Sequence, residues 1–269
     1  MELSIAFSPC PNDTFIFDAM VHHKIDTEGI QFRMVLEDVE TLNEQAIQNT
    51  YDITKVSYGA YPALANDYKI LNSGSALGRG VGPLLIKKQG DQRESMDQLA
   101  VALPGKNTTA HFLFSHAYPE ARNKLFMRYD AIAPFVLAEK GWGVIIHENR
   151  FTYERSGLVK MVDLGNYWEE TTGLPIPLGG IVVSRKLDDA IQKKIDRLIL
   201  KSIEHAYEQY PQLTDFIKCH AQEMSEEVMR SHIELYVNDF SRNLGEEGKA
   251  AIIQMLNIWG LDMHTDLFV

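Results

Sequence analysis

Residues 3–57 read LSIAFSPCPNDTFIFDAMVHHKIDTEGIQFRMVLEDVETLNEQAIQNTYDITKVS and alternate between two periodic patterns. Runs of β-branched and apolar residues predict strands, and the amphipathic stretches between them predict helices. The predicted strands are Leu3–Phe7, Ile30–Leu36 and Ile53–Ser57, and the predicted helices cover residues 14–23 and 39–49. Because the connections are short, this alternation favours a largely parallel sheet with right-handed crossovers. The fold class is therefore α/β.

The same alternation continues along the chain and then restarts. A helix over 58–66 and a strand at Tyr68–Ser73 extend the first unit, and the glycine-rich run GSALGRGVGP at 74–83 follows it. An apolar strand at 84–86 comes next, and after a polar stretch the restart predicts strands near 99–103, 125–129 and 143–146, with helices near 108–118 and 131–140. The segment GGIVVSR, at 179–185, predicts a long strand that carries the chain back to the first unit.

Helical spacing dominates the C-terminal third, and capping signals mark an earlier helix. From Leu187 onward one apolar face is formed by Ile191, Ile195, Leu198, Ile199, Ile203 and Tyr207. Further helices are predicted near 211–221, 225–240 and 246–259. In the first unit, Thr41 and Glu44 have the spacing of a capping box.

Two α/β units joined by two crossing strands, with a helical C-terminal region, form the plan of a two-lobed ligand-binding protein. We predict that lobe 1 comprises residues 1–88 and 181–269 and that lobe 2 comprises residues 89–180. Ligands of open α/β sheets bind in the crevice beyond the carboxyl ends of the strands. Both lobes would direct those ends at one cleft, so the chemistry is expected there.

Composition excludes several classes of protein. With 45% hydrophobic and 23% charged residues, the 269-residue chain is neither disordered nor fibrous. A formal net charge of −11 repels a phosphate backbone, and no basic stripe offsets it, so nucleic acid is not an expected partner. No apolar run approaches the roughly 18 residues of a membrane-spanning helix, so no membrane partner is expected.

The two cysteines and the first residues of the chain indicate the cellular compartment of the protein. Cys10 and Cys219 belong to no CxxC motif and fit a reducing compartment better than a disulfide framework. The opening MELSIAFSPCPND has no basic segment and too short an apolar run for a signal peptide. We therefore expect a cytoplasmic protein, as a monomer or a homodimer.

The motif SPCPNDTF, at 8–15, follows the first predicted strand. In one interpretation it is a rigid helix start, capped by Asn12, Asp13 or Thr14. In the other it lies in the cleft with Cys10 as a wall residue. A nucleophilic cysteine would need a nearby base and a lowered pKa, which the sequence does not supply by itself.

The motif KVSYGAYP, at 55–62, ends the third predicted strand. Lys55, Val56 and Ser57 would offer an ammonium, backbone groups and a hydroxyl to an anionic ligand in the cleft. The alternative is that Ser57 simply caps the following helix. The motif lacks the first glycine of a GxSxG nucleophile elbow, which disfavours serine-hydrolase chemistry.

The glycine-rich run at 74–83 does not match GxGxxG, and a strand rather than a helix follows it, so no dinucleotide is expected. Arg79 within it is a candidate carboxylate clamp.

The motif PGKNTTAHF, at 104–112, predicts a helix start at which Thr108, Thr109 and Ala110 face the cleft and bind a carboxylate. A plain N-cap by Asn107 or Thr108 is the alternative.

The motif GWGVIIHENR, at 141–150, places His147 at the carboxyl end of a predicted apolar strand. This placement makes His147 a candidate general base, although a lone histidine is more often structural. HENRF is not HExxH and no other cluster has metal-ligand spacing, so no metal is expected. Six other histidines lie in polar, helical or terminal surroundings and are expected at the surface: His22, His23, His205, His220, His232 and His264.

These motifs, together with LGNYWEETTGLPIPLGG at 164–180, closely resemble the 1,4-dihydroxy-6-naphthoate synthase family of the futalosine route to menaquinone. The resemblance runs from about residue 3 to about residue 250. It implies a type II periplasmic-binding-protein-like fold and a cofactor-free carbon–carbon lyase that acts on a small carboxylated substrate. It implies that His147 is the catalytic base and that Lys55–Ser57 and the helix start around Thr109 and Ala110 contact substrate.

The implied substrate is cyclic dehypoxanthinyl futalosine, and the implied products are 1,4-dihydroxy-6-naphthoate and dihydroxyacetone. Two alternatives stay open, because a shared fold does not define one function. Chorismate dehydratase belongs to the same pathway and fold. A non-catalytic solute-binding protein would share the fold without needing a histidine base.

Overall fold

The computed structural model describes residues 1–93, 96, 99–147, 149–221, 225–261 and 266–269. The strands are β1 Glu2–Phe7, β2 Gln31–Leu36, β3 Ile53–Ser57, β4 Tyr68–Ile70, β5 Ala76–Gly78, β6 Leu84–Lys88, β7 Ala100–Leu103, β8 Lys124–Phe126, β9 Gly141–Ile145, β10 Leu158–Asp163 and β11 Ile176–Ser184.

The helices are α1 Pro11–Val21, α2 Val39–Ile47, α3 Thr109–Ala117, α4 Ile132–Leu137, α5 Asn149–Thr152, α6 Leu164–Thr172, α7 Asp189–Gln209, α8 Asp215–His220, α9 Glu226–Tyr236, α10 Asp239–Arg242 and α11 Gly245–Ile258. The predicted helix over 58–66 is instead a short 3₁₀ helix, Tyr58–Ala63. Pro62 lies inside it and cannot donate the backbone hydrogen bond that a longer helix needs.

The first sheet has the strand order β2-β1-β3-β11-β4, and β5 also pairs with β11. The predicted β1, β2 and β3 are parallel to one another, as βαβ crossovers require. Strand β11 runs antiparallel to β3, β4 and β5, because it brings the chain back from the second sheet. The sheet is therefore mixed, and the predicted α/β fold class is confirmed.

The second sheet has the order β10-β6-β9-β7-β8. Strand β7 is parallel to β8 and β9, whereas β6 is antiparallel to β9 and β10. The chain passes between the sheets twice, between β5 and β6 and again before β11. Residues 84–88 lie in the second sheet and residues 176–180 in the first, so each predicted lobe boundary comes about five residues after the change of sheet. The division into two lobes stays a prediction.

The C-terminal helices cover the first sheet. On α7 the predicted apolar face is buried at Ile195, Leu198, Ile199 and Ile203 and packs in one core with Phe15 of α1. Helix α11 adds Ile252, Met255 and Leu256 to a second core. The predicted helical C-terminal region is confirmed, and among the described residues no helix has the length and apolarity to span a bilayer.

The N-cap of helix α2 lies one turn earlier in the chain than the sequence predicted. Its N-cap is Asp38, whose carboxylate accepts hydrogen bonds from the backbone N–H groups of Glu40 and Thr41. The capping box predicted from Thr41 and Glu44 is wrong, because Thr41 is already inside the first helical turn. Its hydroxyl donates to the Asp38 carboxylate instead.

Candidate functional site

One cavity lies where strand ends of both sheets meet, and it encloses about 710 Å³ of space, counting the part open to solvent. The loop after β1, the end of β3, the start of α3 and the loop after β9 all reach it. All seven predicted site residues line this cavity: Lys55, Val56, Ser57, Thr108, Thr109, Ala110 and His147. The other lining residues are Ser8, Asn12, Asp13, Val39, Ala76, Val81, Pro83, Ile146, Leu178, Gly179, His232 and Tyr236.

A buried ion pair forms part of the cavity wall. Lys55 Nζ lies 3.0 Å from Asp13 Oδ1 and also donates to the Gly74 carbonyl at 3.3 Å. The Asp13 carboxylate accepts three further hydrogen bonds, from the backbone N–H and hydroxyl of Ser8 and from Asn12 Nδ2. These partners compensate for the loss of water around two buried charges.

The capping role predicted for Asn12, Asp13 or Thr14 is wrong. The N-cap of α1 is Cys10, which makes no side-chain capping bond, and Pro11 fills the first helical position, where no N–H is needed. The Asp13 side chain is thereby left for Lys55. The sequence could have indicated this pairing, because Lys55 lies at the end of a buried strand and needs an anion.

Ser57 also does not cap the helix that follows it. Its backbone N–H donates to Asn43 Oδ1 at 2.8 Å, and its hydroxyl accepts from Asn43 Nδ2 at 3.2 Å. Asn43 is completely buried on α2 and reaches on to the Asn107 carbonyl at 3.1 Å. Sequence reasoning missed Asn43, although a buried amide on an amphipathic helix is a recognisable signal of a polar network.

Glu40 holds the loop before α3. Its carboxylate accepts from the backbone N–H of Asn107 at 3.0 Å and from Asn107 Nδ2 at 3.0 Å. Burial raises the pKa of Glu40, and the Asn107 hydrogen bond acts in the opposite direction. At Gly105, with φ of 147°, an added Cβ would lie 2.5 Å from this carboxylate, so the loop requires glycine.

The start of α3 combines a cap with a link between the two sheets. Thr108 is the N-cap, and its hydroxyl accepts from the His111 backbone N–H at 3.2 Å. The Thr109 hydroxyl donates to the Leu178 carbonyl at 2.6 Å and accepts from the Gly59 backbone N–H at 3.0 Å. Thr109 therefore binds protein groups through its hydroxyl, and an anion would be bound through the first-turn backbone amides of α3, which have no acceptor within the helix.

His147 lies two residues after the end of β9, at the cavity wall. Its φ of 57° is in the left-handed region, which a residue with a Cβ adopts only where its surroundings enforce it. Its Nδ1 atom lies 3.6 Å from Cys10 Sγ, and the ring of Tyr129 packs edge-on at a centroid distance of 5.1 Å. This geometry brings the predicted base into contact with the SPCPNDTF loop.

The surface position predicted for His232 is wrong. It is 1% exposed on α9, lines the cavity, and its ring centroid lies 6.3 Å from that of His147. Burial, and then the nearby charges of His147 and Lys55, lower the pKa of His232 well below its usual value. The sequence did indicate that His232 is buried, because position 232 shares the apolar helical face of Val228, Met229, Ile233 and Tyr236.

Arg79 lies away from the cavity. It is exposed and pairs with Glu247 at 2.9 Å and with the Gly173 carbonyl at 3.1 Å, so its predicted use as a carboxylate clamp is wrong. His22 and His23 are exposed as predicted, His205 and His220 are half-buried, and His264 lies outside the described residues. Within the described ranges, no three His, Cys, Asp or Glu side chains are grouped as metal ligands.

The cavity thus has two polar ends. Ser57 and the start of α3 form one end, which suits an anion. Lys55, His147 and His232 form the other, which suits acid–base chemistry. Lys55 and Ser57 project from the same face of β3, about 7 Å apart along the strand.

Two mixed sheets with a cavity between their strand ends define the class of two-lobed α/β ligand-binding folds. A crystal structure of a Candida albicans protein described as having the generic periplasmic binding protein fold matches with a TM-score of 0.67 at 13% identity, covering 99% of this chain and 92% of that one. The predicted periplasmic-binding-protein-like fold is confirmed.

A family model described as menaquinone biosynthesis matches residues 3–259, and the chain belongs to this family. It is 45% identical over 254 residues to the 1,4-dihydroxy-6-naphthoate synthase of Thermus thermophilus, covering 94% of this chain and 92% of that protein. It is 38% identical over 260 residues to the synthase of Streptomyces coelicolor, covering 94% and 91%. A crystal structure of an Archaeoglobus fulgidus protein matches with a TM-score of 0.89 at 33% identity, covering 97% and 98%.

Proposed function

We propose that this protein is a carbon–carbon lyase that converts cyclic dehypoxanthinyl futalosine to 1,4-dihydroxy-6-naphthoate and dihydroxyacetone in menaquinone biosynthesis. One observation carries the proposal. The chain matches two synthases named for this product over 94% of its length. A cavity with an anion-binding end and a histidine end supports it.

The substrate carboxylate binds at the start of α3. The backbone amides of Thr109 and Ala110 are in the first helical turn, where unsatisfied donors and the helix dipole favour an anion. Ser57 and Val56 line the same region at the end of β3. This orientation directs the three-carbon remnant of the substrate toward His147 and Lys55.

His147 is the general base. A neutral imidazole at the cavity wall removes a proton from the substrate, and this starts a retro-aldol-like cleavage of the bond to the three-carbon fragment. Aromatisation of the ring drives the reaction forward. The cleavage passes no electrons to an outside acceptor, so the proposal includes no cofactor.

The Lys55 ammonium supplies positive charge at the histidine end of the cavity, where the substrate reacts. Its pairing with Asp13 fixes its position at 3.0 Å from a carboxylate that is itself held by Ser8 and Asn12. A fixed charge costs no reorganisation during the reaction and stabilises negative charge that develops nearby. Lys55 is therefore a substrate-binding and electrostatic residue in this proposal.

Location and assembly are part of the proposal. The reaction belongs to small-molecule biosynthesis, and we place the protein in the cytoplasm as a monomer or homodimer. The two lobes, residues 1–88 with 181–269 and residues 89–180, would close on the substrate to exclude water. Contacts across the cavity, such as Thr109 to Leu178, support a closed arrangement.

The test is one incubation of the purified protein with cyclic dehypoxanthinyl futalosine and, separately, with chorismate, read by mass spectrometry. The proposal expects 1,4-dihydroxy-6-naphthoate and dihydroxyacetone from the first and no change in the second. Turnover of chorismate alone would identify a chorismate dehydratase. Binding without turnover of either compound would identify a non-catalytic solute-binding protein.

A further inference from the structure

His232 is a buried ionisable side chain of the cavity to which the reaction above assigns no role. It lies on α9, far along the chain from His147, yet the two ring centroids are 6.3 Å apart. The ring of Tyr236, one turn later on the same helix, packs edge-on at 4.7 Å, and Phe151 lies at 6.3 Å on another side. These aromatic contacts hold the imidazole in one orientation at the cavity wall.

The surroundings of His232 favour its neutral form. It is buried, and the ionisable groups that act on it are His147 from the loop after β9 and Lys55 from β3. The Asp13 carboxylate is committed to Lys55 and Ser8. A neutral imidazole carries one N–H donor, and burial, by lowering the pKa of His232, makes its other ring nitrogen a weak base.

The proposed reaction needs such a donor. When the bond to the three-carbon fragment breaks, negative charge moves onto an oxygen of the fragment. A fixed neutral donor in a site shielded from water stabilises that charge more than water does. His232 lines the histidine end of the cavity, beside His147.

We propose that His232 is a further catalytic residue, a neutral hydrogen-bond donor to the oxygen that gains negative charge on the departing three-carbon fragment. The inference rests on the proposed function and deepens it. The hydrogen bond leaves its proton on His232, and the proton removed from the substrate goes to His147. The naphthoate product lacks the fragment, so His232 has no part in binding it.

The experiment compares the wild type with His232→Phe, which keeps the ring packing and removes the donor, and with His232→Gln, which keeps a donor. His205→Phe, on α7 outside the cavity, is the matched control. For each protein we would measure turnover of cyclic dehypoxanthinyl futalosine across neutral pH, binding of 1,4-dihydroxy-6-naphthoate by titration, and thermal unfolding.

We expect kcat/KM of His232→Phe to fall about tenfold to a hundredfold, the usual effect of losing a hydrogen bond to a developing charge. His232→Gln should recover part of the loss, product binding should be unchanged, and the pH profile should keep the wild-type shape. His205→Phe should match the wild type. If His232→Phe does not fold, His232→Leu, which also removes the donor, is measured in its place, with a loss in kcat/KM and unchanged product binding expected.

Three outcomes would overturn the inference. His232→Phe, or His232→Leu measured in its place, with a kcat/KM within about threefold of an active wild type would leave the donor no role. Loss of one limb of the pH profile in the variant would make His232 a titrating acid or base instead of a neutral donor. A wild type without turnover would overturn the proposed function itself, and the inference with it.

Discussion

The Sγ atom of Cys10 lies 3.6 Å from Nδ1 of His147, so the loop after the first strand touches the loop after β9 across the cavity. Cys10 is the N-cap of α1, and its backbone carbonyl accepts from Asp13 and Thr14. The base and the Lys55–Asp13 pair are therefore connected through a single helix start. A shift of that helix would move the partners of His147 and Lys55 together.

Replacing His147 by Asn should lower kcat by about 10²- to 10⁴-fold, the usual contribution of a positioned general base. The amide has similar bulk and keeps hydrogen bonding but cannot accept the proton. Steady-state kinetics beside a thermal melt and a product titration make the measurement. A kcat within about threefold of the wild type would mean that the base lies elsewhere, and Asp13 would be tested next.

Cys10→Ser should retain most activity, and Cys10→Ala should lower kcat by about three- to tenfold, because the contact with His147 Nδ1 positions the ring and a sulfur contact is weak. KM should change little, since Cys10 orients the base and not the substrate. Kinetics of both variants give the comparison. Equal activities for Ala, Ser and wild type would show that the ring is held by its other contacts.

Thr109→Val removes the hydroxyl and keeps the shape, leaving the Leu178 carbonyl and the Gly59 amide without this partner. The free energy of unfolding should fall by about 1–3 kcal/mol, as measured by urea titration. Thr109→Ser is the matched control and should stay near the wild type. Product affinity of folded Thr109→Val should change little, because the backbone amides remain.

Asp13→Asn should destabilise the protein by about 3–5 kcal/mol, because it leaves the buried Lys55 ammonium without its counter-charge. The double variant Asp13→Asn with Lys55→Met should recover part of that loss, since no uncompensated charge remains. Urea unfolding of both variants provides the values. A double variant no more stable than the single one would place the loss in the Ser8 and Asn12 hydrogen bonds.

The lowered pKa of His232 predicts a pH dependence of stability. Below its usual value of 6.5 the unfolded chain binds a proton at this residue that the folded protein does not. The stability of the wild type relative to His232→Phe should therefore fall as the pH drops below 6.5, with a limiting slope of about 1.4 kcal/mol per pH unit, and level off above it. Urea unfolding at a series of pH values measures this, and a flat difference would show that His232 takes up its proton normally when folded.

Much of the fold could be predicted because its strands carry their own periodic signal. Strand β3 has the predicted bounds, Ile53–Ser57, and β1 differs from its prediction by one residue. Strand β10, Leu158–Asp163, and helix α6, Leu164–Thr172, were not predicted. Only two residues of β10, Leu158 and Asp163, are buried, since it lies at the sheet edge, and its hydropathy pattern is accordingly weak.

The walls of the cavity were predictable where a residue lies at the end of a strand or the start of a helix. Ser57, Thr108 and His147 are of this kind, because topology alone brings such positions together. Asn43 and His232 lie in the middle of helices, where only the three-dimensional packing tells an inward polar side chain from an outward one. The partners of Asp13 and Thr109 depend on distances across the cavity, which a sequence read by itself does not contain.

Because the chain crosses between its sheets twice, the cavity is built from segments that synthesis delivers at widely separated times. Ser8 and Asp13 precede both crossings, and His232 and Tyr236 follow both. A nascent chain can pair β1, β2 and β3 early, but it cannot close the cavity until β11 has returned and α9 has packed. Catalytic competence in this architecture therefore requires both crossings and the packing of α9, and no piece of the chain that lacks Ser8–Asp13 or His232–Tyr236 contains the complete site.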